Sequence, residues 1–149
     1  MGIMTEAELQ AYYDKFPIVL KERLKRQQVS FSNDTEFVYK PIEAYRMVVR
    51  TKDDSHAFNL EDMKSYFELG KLPRGVQKMD ETDSQYYAVS LYENIERLKQ
   101  SFSFPNPRKK IAHGYVYDEG GPCLRGANGH ISWWLFEGVD LSEFEIMEG

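Results

Sequence analysis

The sequence predicts an α+β domain built on a mixed or mainly antiparallel sheet, with an N-terminal helical segment and two further helices. Three observations predict it. Apolar spacing switches repeatedly between helical and alternating along the chain. The resulting order is helix, strand, helix, strand, helix and then strands, and the last strands are separated by connections that favour antiparallel pairing. At 149 residues, one domain spanning 1–149 is expected, since about two-thirds of the unfolded surface can be buried at this length without a metal or disulfide.

Thr5-Glu6-Ala7-Glu8 reads as a capping box and starts a helical segment over about residues 5–28. Leu9, Tyr13, Phe16, Leu20 and Leu24 recur at helical spacing, and Pro17 predicts a kink or two short helices because it lacks an amide proton. Thr35 to Lys40 and Ile42 to Arg50 are rich in Val, Tyr, Phe and Ile, with Pro41 between them, which predicts two strands or one bent edge strand. Asn59 as N-cap, Glu61 and Asp62 in the first turn and Gly70 at C′ delimit a helix over Leu60 to Leu69. Tyr86 to Tyr92 alternates as a strand, and Glu93 to Phe102 returns to helical spacing before Pro105 and Pro107. Lys110 to Tyr117, His130 to Glu137 and Glu143 to Met147 supply three further strands.

Composition narrows the function classes. An aromatic share of 14%, with ten Tyr and nine Phe, argues against disorder and asks for packing or binding roles. The single cysteine and the absence of an apolar leader predict a cytoplasmic, reducing setting, and no apolar run approaches the roughly 20 residues that cross a bilayer. A formal net charge of -5 argues against nucleic acid as a partner; the basic stretches Lys21 to Arg26 and Arg108 to Lys110 read as solvated faces.

The glycine-rich connection Asp118 to Gly129 is the first place to look for a site, because long connections without structure of their own are usually functional or disordered. Gly120, Gly121, Gly126 and Gly129 could aim backbone amides at one anion, with Arg125 as a charged fork beside them; the alternative is a mobile hairpin loop. The neighbouring Trp133 and Trp134 must face opposite sides of a strand, so one belongs to the core while the other lines a pocket or covers a second layer. Cys123 reads as a small residue in a turn rather than a thiolate nucleophile. His56, His113 and His130 form no ligand pair, so no metal is expected, and neither a Gly-x-Ser-x-Gly elbow nor a phosphate-binding loop occurs.

The order of elements from about Phe37 onward resembles the ADP-ribosyltransferase fold in its arginine-serine-glutamate group. The residues that carry the resemblance are Arg46 in Tyr45-Arg46-Met47-Val48-Val49, Ser90 in Tyr87-Ala88-Val89-Ser90-Leu91-Tyr92, and the late carboxylates Glu137 or Glu143-Phe144-Glu145. The resemblance implies a split antiparallel sheet and NAD as cofactor, held by Arg46, with Ser90 and either Glu137 or Glu145 serving the transfer of ADP-ribose and Tyr92 or Trp134 stacking on nicotinamide. The chain departs from the pattern in lacking the Ser-Thr-Ser triplet around Ser90. The competing expectation is a noncatalytic interaction module, or an accessory protein of a bacterial or phage system, that offers its aromatic surface to a protein partner. The ligand is then a nucleotide-like small molecule in the first case and a protein in the second.

Overall fold

Pro17 divides the N-terminal segment as its missing amide requires: α1 spans Glu6–Tyr13 and α2 spans Ile18–Lys25. The structure is a computed structural model, and it describes residues 6–50, 58, 62–65, 68 and 82–147. Thr5 of the expected capping box therefore lies outside the described residues. The helix expected over Leu60 to Leu69 also lies mostly outside them, but the described Met63, Lys64 and Ser65 are not helical, so that helix is not continuous. The third described helix, α3, spans Ile95–Ser101. Asn94 caps it by accepting from the amides of Glu96 at 2.9 Å and Arg97 at 3.3 Å.

The strands are β1 Ile42–Val49, β2 Val89–Tyr92, β3 Lys109–Val116, β4 Cys123–Arg125, β5 His130–Trp133 and β6 Glu145–Ile146. They form one antiparallel sheet in the order β4-β5-β2-β1-β3-β6. The α+β class is as the sequence predicts. β1 is not an edge strand, however: it lies between β2 and β3 and pairs with β3 along its whole length, from Ile42↔Val116 to Val49↔Lys109. Thr35 to Lys40 supplies only a bridge, Glu36↔Cys123, because the chain then turns away to place Phe37 against Tyr12 and Phe31.

Three further expectations are corrected. Ser84–Tyr87 is a 3-10 turn capped by the Asp83 carboxylate, so the strand begins at Val89, and both Tyr86 and Tyr87 are buried, which strict alternation would forbid. The strand expected to reach Glu137 ends at Trp133. The glycine-rich connection has its own structure, with β4 inside it flanked by the 3-10 turns Asp118–Gly120 and Ala127–Gly129.

Alternation divides the sheet into two faces. Ile42, Ala44 and Val48 of β1, Val89 and Leu91 of β2, Ala112 and Val116 of β3 and Ile131 and Trp133 of β5 form the main core, covered by Met63 and Phe144. The Phe144 ring sits so close to Gly114 that a Cβ there would lie 2.5 Å from it. A second cluster holds Leu20 and Leu24 of α2, and Phe16 from the turn between the two N-terminal helices, against Tyr86, Tyr87, Trp134 and Phe136. Both tryptophans are fully buried, Trp133 in the main core and Trp134 in the second cluster.

Candidate functional site

One row of side chains crosses the face opposite the main core. Paired residues in an antiparallel ladder share a face, and the registers Tyr92↔His130, Tyr45↔Tyr92, Tyr45↔His113 and His113↔Glu145 therefore align His130, Tyr92, Tyr45, His113 and Glu145 across five strands. Ring centroids are 5.3 Å apart for Tyr92 and His130 and 5.1 Å for Tyr45 and His113. Glu43 and Tyr115 flank the row on β1 and β3; the Glu43 carboxylate lies 2.9 Å from Nε2 of His113. The end of α3 covers the opposite part of this face, where the Phe102 ring meets Tyr92 and carries the Lys109 ammonium 5.2 Å above it. Around His113 the face is open: Glu43 is 56% exposed and Tyr115 39%. Burial holds His130 below the usual imidazole range and so favours its neutral form.

The residues singled out from sequence are distributed unevenly about this row. Tyr92 and Glu145 belong to it, with β1 and β3 between them. Arg46 meets Ser90, but through the main chain. β1 and β2 share only the register pair Tyr45↔Tyr92 before they diverge, and the Arg46 guanidinium bridges the resulting fork. It donates to the carbonyl oxygens of Ser90 at 2.8 Å, Asp62 at 3.1 Å and Lys64 at 3.2 Å. By alternation its side chain leaves β1 on the face opposite the Ser90 hydroxyl. Four residues further on, Arg50 forms a two-pronged salt bridge to Asp62, at 2.5 and 2.6 Å. The two arginines thereby anchor residues 62–64 to β1.

Glu137, Trp134 and Arg125 lie elsewhere. Glu137 is exposed at a wide cleft of about 1170 Å³ that also includes Lys15, Tyr115 and Asp140. Trp134 is fully buried, its indole donating to the Ser84 carbonyl at 2.7 Å, which leaves no ring face for a ligand in this arrangement. Arg125 forms a bidentate pair with Glu36, at 2.7 and 2.8 Å, and this partner holds the Glu36 carboxyl below the usual carboxylate range. The amides of Gly120, Gly121 and Gly126 donate to the carbonyls of Tyr117, Asp118 and His130, so these three are spent within the main chain; residues 120–123 are buried, whereas 125–128 are exposed.

No protein-family model, curated protein or solved structure matches this chain.

Among the described residues, no group of three or more His, Cys, Asp or Glu is placed to hold a metal ion, and no helix of the described residues is long and apolar enough to cross a membrane. Glu43, Tyr45 and Tyr115 were not singled out from sequence. The signal that finds them is alternation: Glu43 and Tyr45 stand opposite in facing to Ile42 and Ala44 on β1, and His113 and Tyr115 to Ala112 and Val116 on β3, which marks the face turned away from the core.

Cys123 is fully buried in the main core, and burial, with the Glu36 carboxylate adding to it, pushes its thiol up to about 11. A nucleophilic role needs an accessible thiolate. We expect the native chain to resist thiol-labelling reagents at mildly alkaline pH, with labelling appearing only as denaturant unfolds it. Fast stoichiometric labelling of the folded chain would contradict this burial.

Proposed function

We propose that the protein is a noncatalytic interaction module that binds a partner protein through the open face of its sheet. The observation that carries this reading is the row His130, Tyr92, Tyr45, His113 and Glu145, which sets rigid amphipathic rings side by side on paired strands. Aromatic side chains with a polar tip give large contact area at low entropic cost, and they dominate binding energy at protein interfaces.

A second reading is favoured by a separate observation. Arg46 meets the main chain of Ser90 where β1 and β2 part, and an antiparallel sheet with arginine and serine on adjacent strands fits an NAD-binding, ADP-ribosyltransferase-like protein of the cytoplasm. In that reading Ser90 with Glu137 or Glu145 serves the transfer, and Tyr92 stacks on the cofactor; Arg125 and Trp134 would have to leave their present partners to join. The fork itself would need to open, because the Arg46 guanidinium that would grip a pyrophosphate now holds three carbonyls.

One set of measurements separates the two. For the interaction module, affinity capture from cells that make the protein is expected to return a discrete partner with the native chain. A doubly substituted chain, Tyr45→Ala with His113→Ala, should lose it while keeping its circular dichroism spectrum. Retention of the partner by that variant would sink the reading. Calorimetry with NAD at millimolar concentration is expected to show no binding; binding with nicotinamide release, suppressed by Glu145→Gln or Glu137→Gln, would favour the transferase instead.

A further inference from the structure

We infer that the open face around Tyr45 and His113 receives an arginine-bearing segment of the partner. This inference rests on the interaction-module reading and names the chemistry of what binds. The open-face positions of β1 are Glu43, Tyr45, Met47 and Val49, and those of β3 are Lys109, Ile111, His113 and Tyr115. Glu145 extends the same face onto β6. The single cation in that series is Lys109, which lies over the Phe102 ring at the far end. The part that remains open therefore presents ring faces between two exposed carboxylates, Glu43 and Glu145.

Charge complementarity selects the occupant. The open face passes at Tyr115 into the wide cleft, where Glu119, Glu137, Asp140 and Glu143 stand against Lys15 and Lys21. Lys15 is itself drawn over the Phe136 ring, 5.3 Å from its centroid. An anionic ligand would meet carboxylates at Glu43 and Glu145 and at most of the charged positions lining the cleft. A cation that can also lie flat on a ring matches both features, and guanidinium does so better than ammonium: it is planar, stacks on aromatic faces, gives up its hydration more easily and donates two parallel bonds to one carboxylate. Tyr45 and Tyr115 supply the ring faces, and Glu43 and Glu145 the carboxylates. The hydrogen bond from His113 fixes the Glu43 side chain over the sheet.

The test is a titration of the full chain with three synthetic peptides of equal length: one alternating glycine and arginine, its lysine analogue and its glutamate analogue. The arginine peptide is expected to bind most tightly and the glutamate peptide not at all. Binding should weaken as salt is raised and fall about tenfold in the chain carrying both Glu43→Gln and Glu145→Gln, substitutions that keep the side-chain volume and the hydrogen bond to His113. Nuclear magnetic resonance maps the contact independently of any variant, with the largest shifts expected at Glu43, Tyr45, His113, Tyr115 and Glu145. Equal affinity for the lysine peptide would reduce the effect to general attraction by an acidic chain and overturn the inference. Unchanged affinity in the double variant, or shifts located elsewhere, would do the same. If no peptide binds while Tyr45→Ala with His113→Ala still abolishes partner capture, the interaction module stands and the arginine inference falls alone.

Discussion

Replacing Arg50 by Ala is expected to lower the free energy of unfolding by about 3–5 kcal/mol, the range found when one member of a buried ion pair is removed. Arg50 is 2% exposed and Asp62 7%, so the surviving carboxylate would stay buried after losing this two-pronged cation. The guanidinium also donates to the Val49 carbonyl at 3.0 Å, which adds a main-chain acceptor to the loss. A native pair of this kind is not itself a large source of stability, because both charges were desolvated to make it. The informative comparison is therefore the double substitution Arg50→Met with Asp62→Leu. We expect it to recover much of the stability lost in Arg50→Ala, read by chemical denaturation. A cost under about 1 kcal/mol for Arg50→Ala, as at an exposed pair, would show that water reaches the pair in solution.

Gly121→Ala is expected to cost at least about 3 kcal/mol and to reduce the yield of folded protein. Gly121 has φ 140 and ψ 166, a conformation essentially reserved for glycine, and a Cβ placed there would lie 1.8 Å from the carbonyl oxygen of Trp134. Its own carbonyl accepts from the Tyr39 hydroxyl at 2.6 Å and the Trp133 indole at 3.1 Å, so a shift of the main chain to relieve the clash would break both bonds. Gly138 is the control: its φ is also positive, at 77, but nothing lies within 4 Å of a Cβ there. Gly138→Ala should show only the left-handed backbone term, about 1–2 kcal/mol. Equal thermal shifts in the two variants would mean that the close approach at Gly121 is not maintained.

These two positions also show what could and could not be read from sequence. The α+β class, the break at Pro17, α3 and the span of β3 follow from local rules of helical spacing, proline chemistry and alternation. Gly121 was noticed, but as part of an open loop. Nothing local says that the chain on either side of Pro122 folds back on Trp133 and Trp134, because that packing joins residues far from any one periodic segment. Tyr86 and Tyr87 fail for a related reason: a hydrogen bond from Gln85 to the Asp83 carboxylate turns the chain just where the apolar pattern still reads as a strand. Arg46 was singled out only through the resemblance, as the residue that would hold NAD. What it holds, three carbonyls, is set by a fork between two strands and by residues 62–64, and neither is visible in its neighbours along the chain. The row on the open face depends on the registers of five strands, which only the assembled sheet defines.

The adjacent tryptophans have a consequence for how the molecule comes apart. Trp133 faces one buried layer and Trp134 the other, so a single peptide bond is the border between the two. Peeling α1 and α2 away to expose Trp134 would release the continuation of β5, and with it the wall on which Trp133 rests. The N-terminal helices are therefore not a detachable appendage, and the two indoles should change their emission together, as one cooperative event rather than two.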